Sequence, residues 1–488
     1  MTPNHRRSLR TLAPLTLVIA LSACAAVPDL GPRPALRAPD SIAAEQSLAT
    51  TAAQGWPGDG WWQAFGDPQL DALIREGLNG SPDAAAAAAR LRRAEAAVQS
   101  AGGALLPSLD AAAEGGWQKQ SYNMGFPKEF VPKGWKQRGQ ASVDLSFDLD
   151  LWGKNRATLA AATSEAEAAR IEQAQARLTL ATSIASAYAD LARLYAERDV
   201  LAAALELRGA TQKLVANRVA TGLDTRAELK QADAAVPTAK ADLAAVDDMI
   251  TATRHQLAAL VGAGPDRGLA ITRPALARLL APGLPAQTTT ELIGRRPDIA
   301  AARARAEAAA ARIKVARADF YPAVSLSALV GVQSLGFDNL AKKDSIFGNV
   351  GPAISLPIFR GGSLAGQYRG ARATYDEAVA DYDRTILAAY REVADAVTSQ
   401  RSIAEQLAQS RQALADSEEA YAIARKRYEG GLSTYLDVLT AEERVLQARR
   451  AAADLDARRF GIDITLVRAL GGGFAAPATA LSKEDQNG

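Results

Sequence analysis

The chain is 488 residues long, 48% hydrophobic yet only 6% aromatic, with 56 Lys and Arg set against 54 Asp and Glu. That length allows two or three ordinary domains or one duplicated architecture, and an alanine-rich, aromatic-poor composition suits long close-packed helices better than a bulky globular core. The formal charge of +2 gives nucleic-acid binding no support, and a single cysteine excludes an intrachain disulfide.

The chain opens on a basic stretch, "MTPNHRRSLR", followed by the short apolar run "TLAPLTLVIALSA". The run is too short for a good membrane-spanning helix and ends in small residues, so residues 1–23 read as a cleaved signal peptide. Arg6, Arg7 and Arg10 leave with it and no acid does, which brings the remainder from +2 to near −1. The lone cysteine, Cys24, closes "LSAC", which resembles a bacterial lipobox. The resemblance implies that Cys24 is acylated and becomes the first mature residue. Ala25 in the next position, in place of an aspartate, favours the outer membrane. The acylated N-terminus then continues over residues 24–60 as a tether containing the proline-rich "VPDLGPRPALRAPD". At the other end, residues 474–488 read as a disordered tail.

Between these ends the sequence occurs twice. "SPDAAAAAARLRRAEAAVQSAGGALLPSLD" from Ser81 aligns with "RPDIAAARARAEAAAARIKVARADFYPAVS" from Arg296, placing Pro82, Asp83, Arg90 and Pro107 over Pro297, Asp298, Arg305 and Pro322. The halves run over residues 61–280 and 281–473. Each reads as short helix, strand, loop, strand, very long helix, tight turn and medium helix.

In the first half the strands fall at about 105–118 and 140–151, the earlier one weakly marked. The later one, "QASVDLSFDLDL", alternates Ala141, Val143, Leu145, Phe147, Leu149 and Leu151 with six polar residues. The second half places strands at about 322–334 and 349–359. Ten to twelve residues with one apolar and one polar face fit a transmembrane barrel as well as a half-buried soluble sheet. From Lys154 to Ala220, and again from Gly362 to Glu429, nothing breaks a helix. About 67 residues extend about 100 Å, and Ile184, Tyr188, Leu191 and Tyr195 step at coiled-coil spacing. The return helices, Thr225–Leu260 and Thr434–Leu470, are half as long. The short helices near Ala84–Gln99 and Ile299–Ala318 would complete an antiparallel partner by stacking end to end with them. Four strands cannot span a bilayer alone, because the sheet edges would leave amides unsatisfied in lipid. The expectation is therefore a mixed α and β fold whose barrel closes only by oligomerisation, continuing into a long helical coiled-coil shaft; three copies would give an even count of twelve strands, though strand patterning alone does not fix the number.

The turns between long and medium helices, at about 218–228 and 427–440, are the sharpest repeat. Arg218/Arg427, Gly222/Gly431, Leu223/Leu432, Thr225/Thr434, Glu228/Asp437 and Ala232/Ala441 stay in register without a gap. The glycines suit the left-handed position that ends a helix. The threonines suit N-caps, with an acid three residues on as in a capping box, and the arginines favour the negative end of the helix dipole. Nothing in a turn requires the leucines, so Leu223 and Leu432 read as exposed contacts.

Taken in order, "LSAC", "WWQAFGDPQLDALI", "FDLDLWGKNR", both tips, "RRPDI" and "ALGGGF" resemble the TolC-like outer-membrane efflux channels, in particular their NodT/OprM-like lipoprotein branch. The resemblance covers about Trp61 to Gly473. It implies a homotrimer with a twelve-stranded barrel in outer-membrane lipid and an α-helical periplasmic tunnel. Such a duct passively conducts drugs or other small molecules from an inner-membrane pump and a periplasmic adaptor to the outside. Carried over residue by residue, it makes Gly222, Leu223, Thr225, Gly431, Leu432, Ser433 and Thr434 the adaptor contacts. Asp437 takes a constricting acidic ring position, Thr440 stands where relatives often have a second aspartate, and Tyr428 matches an aromatic that helps close the tip. Three copies of Asp437 around an axis would repel one another and raise the carboxyl pKa.

Two other readings share some of these features. A type I secretion duct for proteins has the same fold, and a non-conducting coiled-coil lipoprotein would keep the tether and the helices but not the alternating strands. An enzyme is disfavoured. Outside the leader the only histidine is His255, "LWGKN" lacks the upstream glycine of a phosphate loop, and "GGSLAG" follows no dinucleotide-binding pattern. No cofactor is expected beyond the lipid on Cys24.

Overall fold

The computed structural model describes residues 27–38, 41–48, 55–275, 284–285 and 288–476. The signal segment, Cys24 and most of the tail lie outside them. In chain order the elements are α1 (Pro68–Gly80), α2 (Pro82–Gly103), β1 (Ser108–Gln118), β2 (Lys136–Asp148), α3 (Lys154–Ala220) and α4 (Arg226–Leu260). Then follow α5 (Thr288–Arg295), α6 (Pro297–Ala318), β3 (Ala323–Leu335), β4 (Ile346–Ser355), α7 (Ser363–Glu429) and α8 (Tyr435–Ala469). Corresponding helices have equal lengths: 22 residues in α2 and α6, 67 in α3 and α7, 35 in α4 and α8. The chain divides into two compact units.

One unit comprises Arg92–Ala168, Ala302–Asp381 and the described part of Met1–Ala35. Its centre is an antiparallel sheet in the order β1-β2-β3-β4. Leu109 pairs with Leu145, Val143 with Val330, and Ala328 with Val350, so most apolar residues of the four strands share one face, Leu329, Leu335 and Phe347 lying on the other. Within the chain that face is uncovered: Leu109, Trp117, Val330, Ile346, Val350 and Ile354 are all exposed, Val350 at 77%. The opposite face carries Asp110, Glu114, Gln140, Asp144 and Asp148. β1 and β4 each pair on one side only.

Two strand expectations need correction. β2 starts at Lys136 and stops at Asp148, and β4 starts at Ile346 and stops at Ser355, so Leu149, Leu151 and Ile358 are not strand residues. The alternation runs on past Asp148, but Asp150 turns the chain with a φ of 46°. Its carboxylate accepts from the amides of Asn155 (2.8 Å) and Arg156 (3.1 Å) at the start of α3. That makes "DLDLWGKN" a strand-to-helix junction. Trp152 is fixed there, stacking on Tyr321 at 4.8 Å and donating to the Pro322 carbonyl at 2.7 Å. The proline-rich tether is also not free where it is described. Arg372 donates to the carbonyls of Gly31 and Pro32, and the Tyr375 hydroxyl donates to that of Pro34 at 2.9 Å. Proline-rich chain leaves its carbonyls without neighbouring amide donors, so side chains of α7 take them.

The second unit comprises the described parts of Leu36–Leu91, Ala169–Ala301 and Tyr382–Gly488. "WWQAF" forms a single 3-10 turn whose Trp61, Trp62 and Phe65 are buried with Leu73, Ile184, Tyr188, Leu191 and Leu257. Asp67 caps α1 through the Gln69 amide (2.8 Å) and also accepts from the Tyr188 hydroxyl (2.7 Å) and the Ala275 amide (2.8 Å). Arg296 of "RRPDI" is buried, bonding Asp298 (2.6 Å), Glu392 (2.8 Å) and the Ala469 carbonyl (3.1 Å). The motifs that looked distinctive in sequence are thus internal joints of the fold. At two of these joints helices abut end to end. Gly262, just past α4, lies against the Gly80 carbonyl where α2 begins, and Gly471, just past α8, lies against the Arg295 carbonyl where α6 begins. Both glycines have positive φ, 83° and 87°, and a Cβ at either would run into that backbone. Among the described residues no helix is long and apolar enough to cross a membrane.

Candidate functional site

The two tips lie in the second unit and share a backbone. Gly222 and Gly431 both have φ of 73°. The Leu223 amide returns to the Arg218 carbonyl and the Leu432 amide to the Arg427 carbonyl, each at 2.8 Å. Bonds spanning only three residues run from the Gly222 amide to the Val219 carbonyl (3.1 Å) and from the Gly431 amide to the Tyr428 carbonyl (3.0 Å). This double closure is a Schellman motif, with glycine supplying the left-handed residue. Thr225 and Thr434 then cap α4 and α8, their amides donating to Glu228 (2.6 Å) and Asp437 (2.9 Å) as one arm of a capping box. A leucine following the glycine often packs back on its own helix; here Leu223 is 65% and Leu432 73% exposed. Leu436 is exposed beside them.

The tips differ in their side-chain chemistry. Arg218 does not simply lie at the helix end. Its Nε meets Asp224 Oδ2 at 3.0 Å, and both side chains are largely buried. The guanidinium carbon sits 4.4 Å above the ring of Tyr428, a cation–π contact. The Tyr428 hydroxyl donates to the same Asp224 carboxylate. Tyr428 is fully buried in a small core with Val215, Tyr435 and Val438, and burial, then the Asp224 carboxylate, pushes its hydroxyl pKa well up. One side chain from α7 is thereby bound to the tip of the α3–α4 hairpin. In the other tip Ser433 occupies the position of Asp224, and its hydroxyl has no partner among the described residues. Arg427 donates to the Leu432 carbonyl at 3.5 Å, with its charge acting on Asp437.

Agreement between the repeats does not point to Asp224. Asp224 aligns with Ser433 and Tyr428 with Val219, so the linking pair consists of the positions where the repeats diverge. Asp437 is exposed in the protomer and accepts both the amide and the hydroxyl of Thr434, each at 2.9 Å. Those bonds hold its carboxyl below the ordinary range. Within one chain, therefore, its pKa moves opposite to the direction expected for a ring of three. Thr440 turns its hydroxyl back onto the Leu436 carbonyl at 2.8 Å.

The sequence profile of the family described as "Outer membrane efflux protein" matches residues 73–263 and 289–472, one segment in each half. The chain belongs to that family. It is 32% identical over 468 residues to the multidrug resistance outer membrane protein MdtP of Escherichia coli, covering 93% of this chain and 94% of the relative. It is 32% identical over 473 residues to the pyoverdine export outer membrane protein OpmQ of Pseudomonas putida, covering 96% and 98%. The crystal structure of the outer membrane protein VceC from Vibrio cholerae superposes with a TM-score of 0.81 at 43% identity, over 86% of this chain and all of that one. The chain is thus an outer-membrane efflux protein of TolC-like fold.

Proposed function

We propose that three copies of this chain close a twelve-stranded barrel in the outer membrane, continuous with a periplasmic helical tunnel. The duct passively conducts drugs or other small molecules handed over by an inner-membrane pump and a periplasmic adaptor. The observation that carries this reading is the four-stranded sheet, with an uncovered apolar face, an acid-rich opposite face and two unpaired edges. Edge amides left open in lipid cost several kcal/mol each, and closure with neighbouring copies satisfies them. The matched helix lengths of the two halves support an internal duplication, which gives each protomer two hairpins and the assembled tunnel six tips.

At those tips the exposed Leu223 and Leu432, flanked by Gly222, Thr225, Gly431, Ser433 and Thr434, are the adaptor contacts. Tyr428 and Asp224 hold the hairpins together, and Asp437 forms an acidic ring at the narrow end, with Thr440 above it removing one layer of charge. Single-channel conductance of the detergent-extracted protein in a planar bilayer tests the duct. The expected result is small cation-preferring steps, with Asp437→Ala enlarging the steps or abolishing the preference. A pore unchanged by the substitution reduces Asp437 to a helix cap, and intact oligomers that stay silent remove the duct reading.

The anchor is a separate proposal: Cys24 carries the N-terminal lipid. Cys24→Ser is expected to lose radiolabelled palmitate while remaining in the outer-membrane fraction through its barrel. Retained label in the variant would exclude Cys24 as the acylated residue.

A further inference from the structure

Two turns beyond the start of α8, Glu442 is buried at 2% exposure. One carboxylate oxygen accepts from the Thr211 hydroxyl of α3 at 3.1 Å, and the other lies 3.7 Å from Arg208 Nε. Arg208 also donates to the Ala235 carbonyl of α4 at 3.3 Å. The remaining ionisable groups facing the carboxylate are Tyr421 of α7, Tyr435 of α8 and its sequence neighbour Glu443. Among these only Arg208 is cationic, and it is shared. Tyr435 in turn packs against Tyr428 at 6.2 Å, in the same small core as the tip linkage. The repeat-related residue, Asp233, lies in a different setting, bonded to Gln212 and Lys230. The buried acid is therefore peculiar to the second hairpin.

A carboxylate with one hydroxyl and one distant, shared cation is under-compensated for its burial. Burial raises its pKa, against the opposing pull of Thr211 and Arg208. Hairpin separation would hydrate the group and return it to an ordinary glutamate. The packed arrangement therefore binds the proton more tightly than the separated one, and linkage fixes the sign. Packing is favoured at low pH, and the advantage is lost as pH rises through the raised value.

We propose that Glu442 is an acid-closing switch: taking up a periplasmic proton lets it pack as a neutral core residue and holds the α7–α8 hairpin against α3, while the ionised form favours separation and opening. Glu442 is a positioning residue, acting on the tip through Tyr435 and Tyr428. The proposal rests on the duct reading above.

The test records open fraction, not ion preference, for the full oligomer in planar bilayers with the periplasmic side at about pH 7.5 and about pH 5. Wild-type open fraction is expected to fall on acidification, the direction that linkage fixes for a carboxyl whose pKa is raised by burial. Glu442→Gln, a mimic of the protonated form, is expected to show the low acid value at both pH values. Thr211→Val, which removes a bond to the charged form, is expected to shift the wild-type midpoint to higher pH. It decides the matter if Glu442→Gln does not assemble, an unmoved midpoint then overturning the switch. A Glu442→Gln channel with the wild-type pH response also overturns it. A wild-type pore indifferent to pH removes the switch alone, whereas absence of any pore removes the duct reading with it.

Discussion

Asp224→Ala is expected to convert a channel that opens rarely into one open for much of the recording. The carboxylate is the shared acceptor for Arg218 and Tyr428, and its removal strands a largely buried cation and a buried hydroxyl together. Each hydrogen bond to a charged group contributes about 1.5–3 kcal/mol; of the two bonds lost, that of Tyr428 crosses between hairpins, and in the proposed trimer it is lost three times. An increase in open fraction of at least about tenfold follows even if relaxation recovers half of that loss. Asp224→Asn keeps one acceptor oxygen but loses the charge and the second oxygen that Arg218 also uses, and is expected to fall between the wild type and the alanine variant. In cells the alanine variant is expected to admit vancomycin, a compound too large for ordinary porins. Unchanged open fraction and unchanged vancomycin sensitivity would reduce the Arg218–Asp224–Tyr428 cluster to a packing feature.

The second large effect concerns the partner. Leu223→Asp combined with Leu432→Asp is expected to abolish efflux while leaving the protein folded. Both side chains are exposed and neither belongs to a core cluster, so thermal stability in detergent is expected to stay within a degree or so of wild type. Burying a leucine contributes about 1.5–3 kcal/mol, and on the proposed trimer two tips per chain would make the adaptor contact multivalent. Co-purification with the adaptor is expected to fall at least about a hundredfold, and drug susceptibility to match that of a strain lacking the channel. Retained resistance would move the adaptor contact off the leucines and onto the flanking backbone.

Long-range architecture was well marked in the sequence. Helix α3 spans the stretch expected from the absence of breakers, and α7 begins one residue later than expected. A helix that long is specified locally, by propensity and by the positions of Gly222 and Gly431. Strand ends were marked less well. Alternation at Leu149 and Leu151 continues past Asp148, but the chain leaves the sheet there because Asp150 caps α3, a preference that period-two counting does not weigh. β1 was faint because "DAAAEGG" offers little apolar contrast, yet it pairs with β2 in full register. In the tips, conserved spacing revealed the shared Schellman turns and caps, which come from local backbone rules. The Tyr428–Asp224 linkage depends on how two hairpins lie side by side, and no local rule carries that information. Glu442 was invisible for the same reason: in sequence it is one acid among several on a charged helix.

The equal lengths of α3 and α7, and of α4 and α8, constrain how this gene can change. One residue inserted into a helix advances everything beyond it by 1.5 Å and turns it by about 100°. An insertion in α3 alone would carry Arg218 out of reach of Tyr428, even though either helix by itself would fold as before. Single-codon insertions and deletions in the shafts should therefore be purged unless both halves acquire them together; even about seven residues, close to two full turns, would restore the facing of α3 but leave its tip about 10 Å out of step. The proposed duplication of the two hairpins thus also ties their lengths together: each half acts as the other's ruler.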